Sequence, residues 1–121
     1  MTYKEAEAFL FDRLPMFQRI GGAAYKKDLS NTINILAALD NPHLKGKFIH
    51  VGGTNGKGSC CKILSAIYRE AGYNVGVYSS PHILTFNERF NINGNYISDE
   101  DLLLFFQRYH RLVEEHKLTY F

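Results

Sequence analysis

The chain has 121 residues and a formal net charge of +2, with 45% of its residues apolar and 21% charged. This length suits one domain, nine Phe and eight Tyr can fill one core, and the modest charge argues against disorder. Basic residues are scattered, so nucleic acid is not an expected partner; no apolar run could cross a membrane and Met1 to Glu7 form no signal peptide, so a cytoplasmic protein is expected.

In chain order, Thr2 to Leu14 reads as a helix. Ala6, Phe9, Leu10 and Leu14 recur at helical spacing, Thr2 and Glu5 can form a capping box, and Pro15 ends the segment. Met16 to Lys27 reads as a loop. A second helix is predicted from about Ser30 to Leu39 on Ile33, Leu36, Ala37 and Leu39, closed by Asn41-Pro42. Phe48 to Val51 is a short apolar run that predicts a strand. A third helix is predicted over about Lys57 to Ala71, with Ile63, Leu64, Ile67 and Ala71 as its apolar stripe and Gly72 as its stop. Val75 to Tyr78 predicts another strand, with a turn at Ser79 to His82. Asn93-Gly94 predicts a small hairpin within Arg89 to Ile97. Ser98 is placed to cap a last helix, whose first turn, Asp99-Glu100-Asp101, suits the positive end of the helix dipole.

This order is that of an α/β nucleotide-binding unit, and the two strands are expected to flank a right-handed crossover helix in parallel. Two parallel strands make a thin sheet, so the chain reads as the front of a larger fold. The apolar ending Leu118 to Phe121 points the same way. Bare sheet edges in such a piece would invite association between copies. Cys60 and Cys61 are neighbours, point apart on a helix, and read as packing residues rather than a disulfide or a zinc site.

The chemistry is concentrated in Gly52-Gly53-Thr54-Asn55-Gly56-Lys57-Gly58-Ser59, between a predicted strand and a predicted helix. Backbone amides at a helix N-terminus converge on one point and carry the positive end of the dipole. Glycines let a phosphate approach, and Lys57 can meet the outer phosphates as a mobile charge. This P-loop-type segment departs from G-x-x-x-x-G-K-[ST] at two places. Val51 stands where the first glycine would be, and Gly58 stands where a magnesium-binding hydroxyl would follow the lysine. The metal therefore needs another oxygen. A ligand-free glycine turn is the plainer alternative. A dinucleotide fingerprint does not fit, because Gly-x-Gly-x-x-Gly is absent and no acid ends the next strand.

His50 to Ser59 closely resembles the loop of the folylpolyglutamate and dihydrofolate synthases, ATP-dependent amide-forming enzymes of the Mur-ligase superfamily. The usual family spelling has alanine at the place of Gly52, and Gly58 points to the folate branch rather than to the cell-wall branch. Val77 to His82, Phe86 to Phe90, Ile92-Asn93-Gly94, Ala24-Tyr25-Lys26 and Leu39 to Pro42 are similar to family segments as well. The resemblance implies that residues 1–121 are the N-terminal portion of an ATP-binding domain of the Mur-ligase central type, with the C-terminal glutamate-binding domain absent. It implies a monomeric parent enzyme that joins L-glutamate to dihydropteroate or a folate through an acyl phosphate, using ATP and Mg²⁺. The chain alone is expected to be inactive.

By the same resemblance, Lys57 is the catalytic cation, and Gly53, Thr54, Asn55, Gly56, Gly58 and Ser59 join it along the phosphate path. Ser80 matches a family Mg²⁺ ligand, with Ser59 as its competitor. Asp28, Leu29, Ser30 and Asn31 fall where the family places part of its pterin-side pocket, although Asp28 or Ser30 as a helix cap is the plainer reading. His82 could approach the nucleotide or simply be a surface histidine, and His50 reads as strand packing. Glu88 and Arg89 read as an exposed pair, and Phe105-Phe106 as core. A Mur-type ligase with another acceptor and a stand-alone phosphate-binding module are the alternative functions.

Overall fold

A computed structural model describes residues 1–13 and 29–116, which belong to two compact units. The expected helix end at Leu14-Pro15, the loop Met16 to Lys27, Asp28 and the ending Leu118 to Phe121 lie outside the described residues.

The first unit comprises residues 1–48 and 103–121. Helix α1 (Tyr3–Arg13) opens on the expected capping box. The Thr2 amide donates to the Glu5 carboxylate at 2.6 Å, and the Glu5 amide donates to Thr2 Oγ1 at 3.3 Å. The Thr2 amide, and then the Thr2 hydroxyl, which donates to the same carboxylate oxygen at 3.1 Å, hold the Glu5 carboxyl below its ordinary range. Ala6 and Phe106 are buried, and Phe9 meets Phe106 edge to face with centroids 5.3 Å apart. Of the expected core pair, Phe106 is inside and Phe105 is exposed. Helix α2 (Ser30–Ala38) buries none of its residues. Asp40 and Asn41 take left-handed backbone after it, and Pro42–Leu44 form a single 3₁₀ turn. Lys45 pairs with Asp40 in an exposed contact worth little.

The second unit, residues 49–102, carries the glycine loop and Ser80. Helix α3 (Lys57–Glu70) packs on strand β1 (Gly76–Tyr78). Gly72, at φ 91°, makes the expected stop between them. Strands β2 (Phe90–Ile92) and β3 (Asn95–Tyr96) form the expected hairpin. Asn93 and Gly94 have φ of 50° and 89°, the conformation that a two-residue hairpin turn demands. Asn93 also ties the turn to the strand entry, since its Oδ1 accepts from the Val75 amide at 2.8 Å. Arg69 of α3 lies directly over Gly94, where any side chain would meet its guanidinium. Ser98 caps helix α4 (Asp99–Glu115), its Oγ accepting from the Asp101 amide at 3.0 Å.

Two expectations about the sheet need correction in detail. The sheet among the described residues is antiparallel, in the order β1-β2-β3, and Phe48 to Val51 is not one of its strands. No parallel crossover forms around α3 there. β2 follows β1 closely enough to close an antiparallel ladder at little entropic cost, and this local pairing is the one that forms among the described residues. The predicted stripe of α3 is also not its buried face. Ile63 and Ile67 are exposed and only Leu64 of the stripe is half-buried, while Ser65, two residues from each isoleucine and so on the opposite face, is 7% exposed.

Candidate functional site

The loop from Val51 to Gly56 feeds directly into α3. Gly56 is the N-cap residue at φ 79°, ψ 3°, and Gly53 sits at φ 149°. Both are backbone states that residues with a Cβ adopt at a cost. No side chain caps the helix, and no acidic residue stands in its first turn. The Cys60 amide is the one that bonds back to the Gly56 carbonyl, at 2.9 Å. The preceding amides, of Lys57, Gly58 and Ser59, therefore belong to the part of a helix that has no intrahelical acceptor. Gly52 to Cys60 are all exposed. Lys57 folds back across the loop, donating from Nζ to the Gly53 carbonyl at 2.6 Å and to the Thr54 carbonyl at 3.5 Å. An uncapped positive helix end and a primary ammonium thus share one exposed loop.

Gly52 needs none of this backbone freedom. A Cβ there would touch the His50 ring at 3.6 Å, an ordinary contact. Gly52→Ala is therefore expected to raise stability by about 0.4–1 kcal/mol through the unfolded chain, and to leave nucleotide binding unchanged. Thermal melts with and without nucleotide check this; a loss of binding would contradict it. His50 itself is exposed, which corrects its reading as a packed strand residue.

Ser80 is exposed and follows β1, joined to Pro81 by a cis peptide. The 14 residues of α3 rise about 21 Å, and eight extended residues from Tyr73 to Ser80 cover up to about 26 Å. The return strand is thus long enough to bring Ser80 back to the loop end of the helix. The segment that follows is closed on itself. The Ser79 amide donates to the Arg89 carbonyl at 2.9 Å and forms its neck. Inside, the Glu88 carboxylate accepts the amides of Ile83 at 3.0 Å, Leu84 at 2.7 Å and Thr85 at 2.7 Å. Thr85 and Glu88 form a second capping box on the 3₁₀ turn Phe86–Arg89.

Glu88 and Arg89 are therefore not an exposed ion pair. Arg89 is 5% exposed, lies over the Phe86 ring at 5.3 Å, and donates from Nε to His82 Nδ1 at 2.9 Å. His82 is half-buried and meets Phe86 edge to face at 5.8 Å, so it is not a free surface histidine. The signal that could have found this was the spacing Glu88-Arg89, three and four residues beyond Thr85 in a segment rich in turn residues.

The amide bonds from Ile83, Thr85 and Leu84, in that order of effect, hold the Glu88 carboxyl below its ordinary value of 4.5. Because the folded value lies below the unfolded one, the support Glu88 gives the segment is full above the ordinary glutamate range and is lost as pH falls through the lowered value. The amide shifts of Ile83, Leu84 and Thr85 are expected to titrate together with a midpoint below 4.5, and Glu88→Gln is expected to abolish that step. A midpoint at or above 4.5 would contradict the assignment.

Of the other candidates, Asp28 lies outside the described residues, and Leu29, Ser30 and Asn31 open α2 in the first unit. Leu29 is the N-cap residue, with no side-chain cap, so capping by Ser30 is not what starts this helix. Asn31 Nδ2 is buried with no hydrogen-bond partner, an orphan donor of the kind that calls for an explanation. No group of three or more His, Cys, Asp or Glu among the described residues could hold a metal ion, and no described helix is long and apolar enough to cross a membrane.

No protein-family model matches the chain. A dihydrofolate synthase/folylpolyglutamate synthase of Bacillus subtilis is 39% identical over 100 residues, covering 83% of this chain and 22% of that protein. The folylpolyglutamate synthetase of Lactobacillus casei superposes with a TM-score of 0.80 at 33% identity, over 95% of this chain and 27% of that one. A folylpolyglutamate synthase complex with AMPPCP and folate superposes equally well, with a TM-score of 0.80 at 33% identity over 95% of this chain and 26% of that one. The chain thus spans about a quarter of the length of the proteins it matches. Similarity at this level over nearly the whole chain, in sequence and in fold, places it in the folylpolyglutamate synthase/dihydrofolate synthase family.

Proposed function

We propose that this chain supplies the ATP-phosphate site of a ligase that joins L-glutamate to dihydropteroate or a folate. The observation that carries the reading is the exposed loop in which Lys57 crosses Gly53 at the uncapped start of α3. The similar protein bound to AMPPCP, a non-hydrolysable ATP analogue, and to folate supports it. In this reading residues 1–121 are the N-terminal portion of the ATP-binding domain, and the glutamate-binding site is not among them.

Lys57 leaves the Gly53 carbonyl for the outer phosphates, and the amides of Gly53 to Ser59 line the phosphate path. The γ-phosphoryl group passes to the acceptor carboxylate, and the amine of glutamate then displaces phosphate from the acyl phosphate to form the amide. Lys57 stabilises the charge spread over the transferring group. Asp28, Leu29, Ser30 and Asn31, in the first unit, are read as part of a pocket for the pterin substrate, and the Asn31 Nδ2 donor is buried there without a partner.

Mg²⁺ suits the oxygens present. It prefers hard ligands, keeps several waters, and is commonly held by few protein groups together with substrate phosphates. Ser80 and Ser59 are exposed hydroxyls, and either would supply the oxygen that Gly58, having no side chain, cannot. When bound, the ion would neutralise charge between the phosphates. The parent enzyme is read as a monomer, and the chain by itself as one that associates through its exposed edges and does not turn over.

The test is to mix the chain with ATP, Mg²⁺, L-glutamate and a pteroate. Nucleotide binding without pteroate-dependent ADP release is expected. ADP release that depends on the pteroate would overturn the placement of the remaining machinery elsewhere, and absence of any nucleotide binding would overturn the phosphate site.

A further inference from the structure

We propose that Asn93 is a self-modifying residue, closing on the Gly94 nitrogen to a succinimide that opens to aspartate or isoaspartate, and that Asn91 is the latch that holds this reaction in check. The chemistry needs only water and hydroxide. The Gly94 backbone nitrogen gives its proton to hydroxide and attacks Cγ of Asn93. The new N–C bond closes an imide ring, and the side-chain nitrogen leaves as ammonia with a proton from solvent. Water then adds to one imide carbonyl. Cleavage at Cγ restores the main chain and leaves aspartate, while cleavage at the α-carbonyl routes the chain through the side chain as isoaspartate. Nothing is oxidised or reduced. Glycine suits the attacking position because no Cβ screens its nitrogen, and both residues are exposed to water.

The turn decides whether the ring can close. Asn93 and Gly94, at φ 50° and 89°, form the loop between the paired residues Ile92 and Asn95. Positive φ at both places makes a type I′ turn, whose first central ψ is about +30°. At that ψ the Gly94 nitrogen stands almost opposite Cβ about the Cα–C bond, beyond the reach of Cγ. Closure needs a ψ of about −120°, the type II′ value, so the peptide between Asn93 and Gly94 must flip. Glycine follows such a flip readily, since it takes either sign of φ. The Gly94 amide, however, donates to Asn91 Oδ1 at 2.9 Å, and the flip breaks that bond. Asn93 is held as well: its Oδ1 accepts from the Val75 amide at 2.8 Å, and its Nδ2 donates to Asn74 Oδ1 at 3.2 Å. Of these bonds, the one from Asn91 is made to the attacking nitrogen itself. The change runs one way. Aspartate at 93 has no donor for Asn74, and isoaspartate adds a backbone carbon that breaks the Ile92–Asn95 register.

Peptide mapping by mass spectrometry, on the chain held at mildly alkaline pH, tests the latch. Asn93 is expected to convert at least about tenfold faster in urea than in the folded chain, because all three bonds are then lost. In folded Asn91→Ala, conversion is expected to be about fivefold faster than in the unmodified chain, the value of one neutral hydrogen bond expressed as a rate. The Ile97 amide, which donates to the Phe90 carbonyl at 2.9 Å, is expected to stay protected from hydrogen exchange in that variant. Asn91→Asp offers a stronger, charged acceptor to the same N–H and is expected to convert more slowly than the unmodified chain. A rate in Asn91→Ala within about twofold of the unmodified chain overturns the latch. So does a faster rate accompanied by loss of Ile97 protection, which would assign it to opening of the hairpin. Should Asn91→Ala fail to fold, Asn91→Asp decides alone: conversion as fast as in the unmodified chain, or faster, overturns the latch. An Asn93 that stays intact in urea overturns the self-modification itself.

Discussion

Lys57→Ala is expected to weaken ATP binding by roughly ten- to hundredfold, the value of a hydrogen bond to a charged group expressed as affinity. The ammonium is the single cation that the loop itself presents, and the adjoining amides supply only partial charges. Its present bonds to the Gly53 and Thr54 carbonyls are exposed, so exchanging them for phosphate oxygens costs little. Lys57→Met separates charge from bulk, because it keeps the stem and is expected to lose as much affinity as alanine. Isothermal titration with AMPPCP reads the difference. Affinity within about twofold of the unmodified chain for both variants would show that Lys57 does not meet the phosphates. In the longer enzyme the same change is expected to lower turnover by about 10²–10³, the typical effect of removing one preorganised transition-state donor.

The second large effect concerns stability. Asn87 is 7% exposed, and both hydrogens of its amide are used: Nδ2 donates to the Ile97 carbonyl at 2.9 Å and to Asp99 Oδ1 at 2.7 Å. One side chain thus ties the 3₁₀ turn beneath His82 to the end of the hairpin and the start of α4. Asn87→Ala removes two bonds, one of them to a charged acceptor, and is expected to cost about 2–3 kcal/mol. At about 4 °C per kcal/mol for a chain of this size, the melting temperature should fall by roughly 10 °C. Asn87→Asp should be worse, since it sets a carboxylate against Asp99. A thermal shift below about 2 °C for the alanine variant would contradict this role.

What the sequence showed and what it hid follow one division. Features fixed within a few residues were legible. The Thr2–Glu5 box, the Ser98 cap, the Gly72 stop and the Asn93-Gly94 turn are all present, because each is decided by a local hydrogen bond or a local φ. The start of α3 at Lys57, directly after the glycine loop, was legible for the same reason, since loop, lysine and helix start are contiguous. Pairing between distant segments was not. Phe48 to Val51 has strand composition but no place in the antiparallel sheet, in which β1 pairs with β2. The apolar stripe of α3 was read from period alone, which says that a face is apolar but not that anything covers it; Ile63 and Ile67 remain exposed. Arg89 is the sharpest case. Charged residues are seldom buried, so its composition argued for solvent, and only the fold brings Phe86 and His82 to it.

The claim on which the rest depends is that Gly53 to Ser59 binds the phosphates. Amide NMR of the chain titrated with AMPPCP and Mg²⁺ tests it residue by residue. The largest shifts are expected at the amides of Gly53 to Ser59, with a smaller response at Ser80, and Lys57→Ala is expected to suppress them at the same nucleotide concentration. Shifts that spare this loop, or loop shifts that persist undiminished in Lys57→Ala, would contradict it.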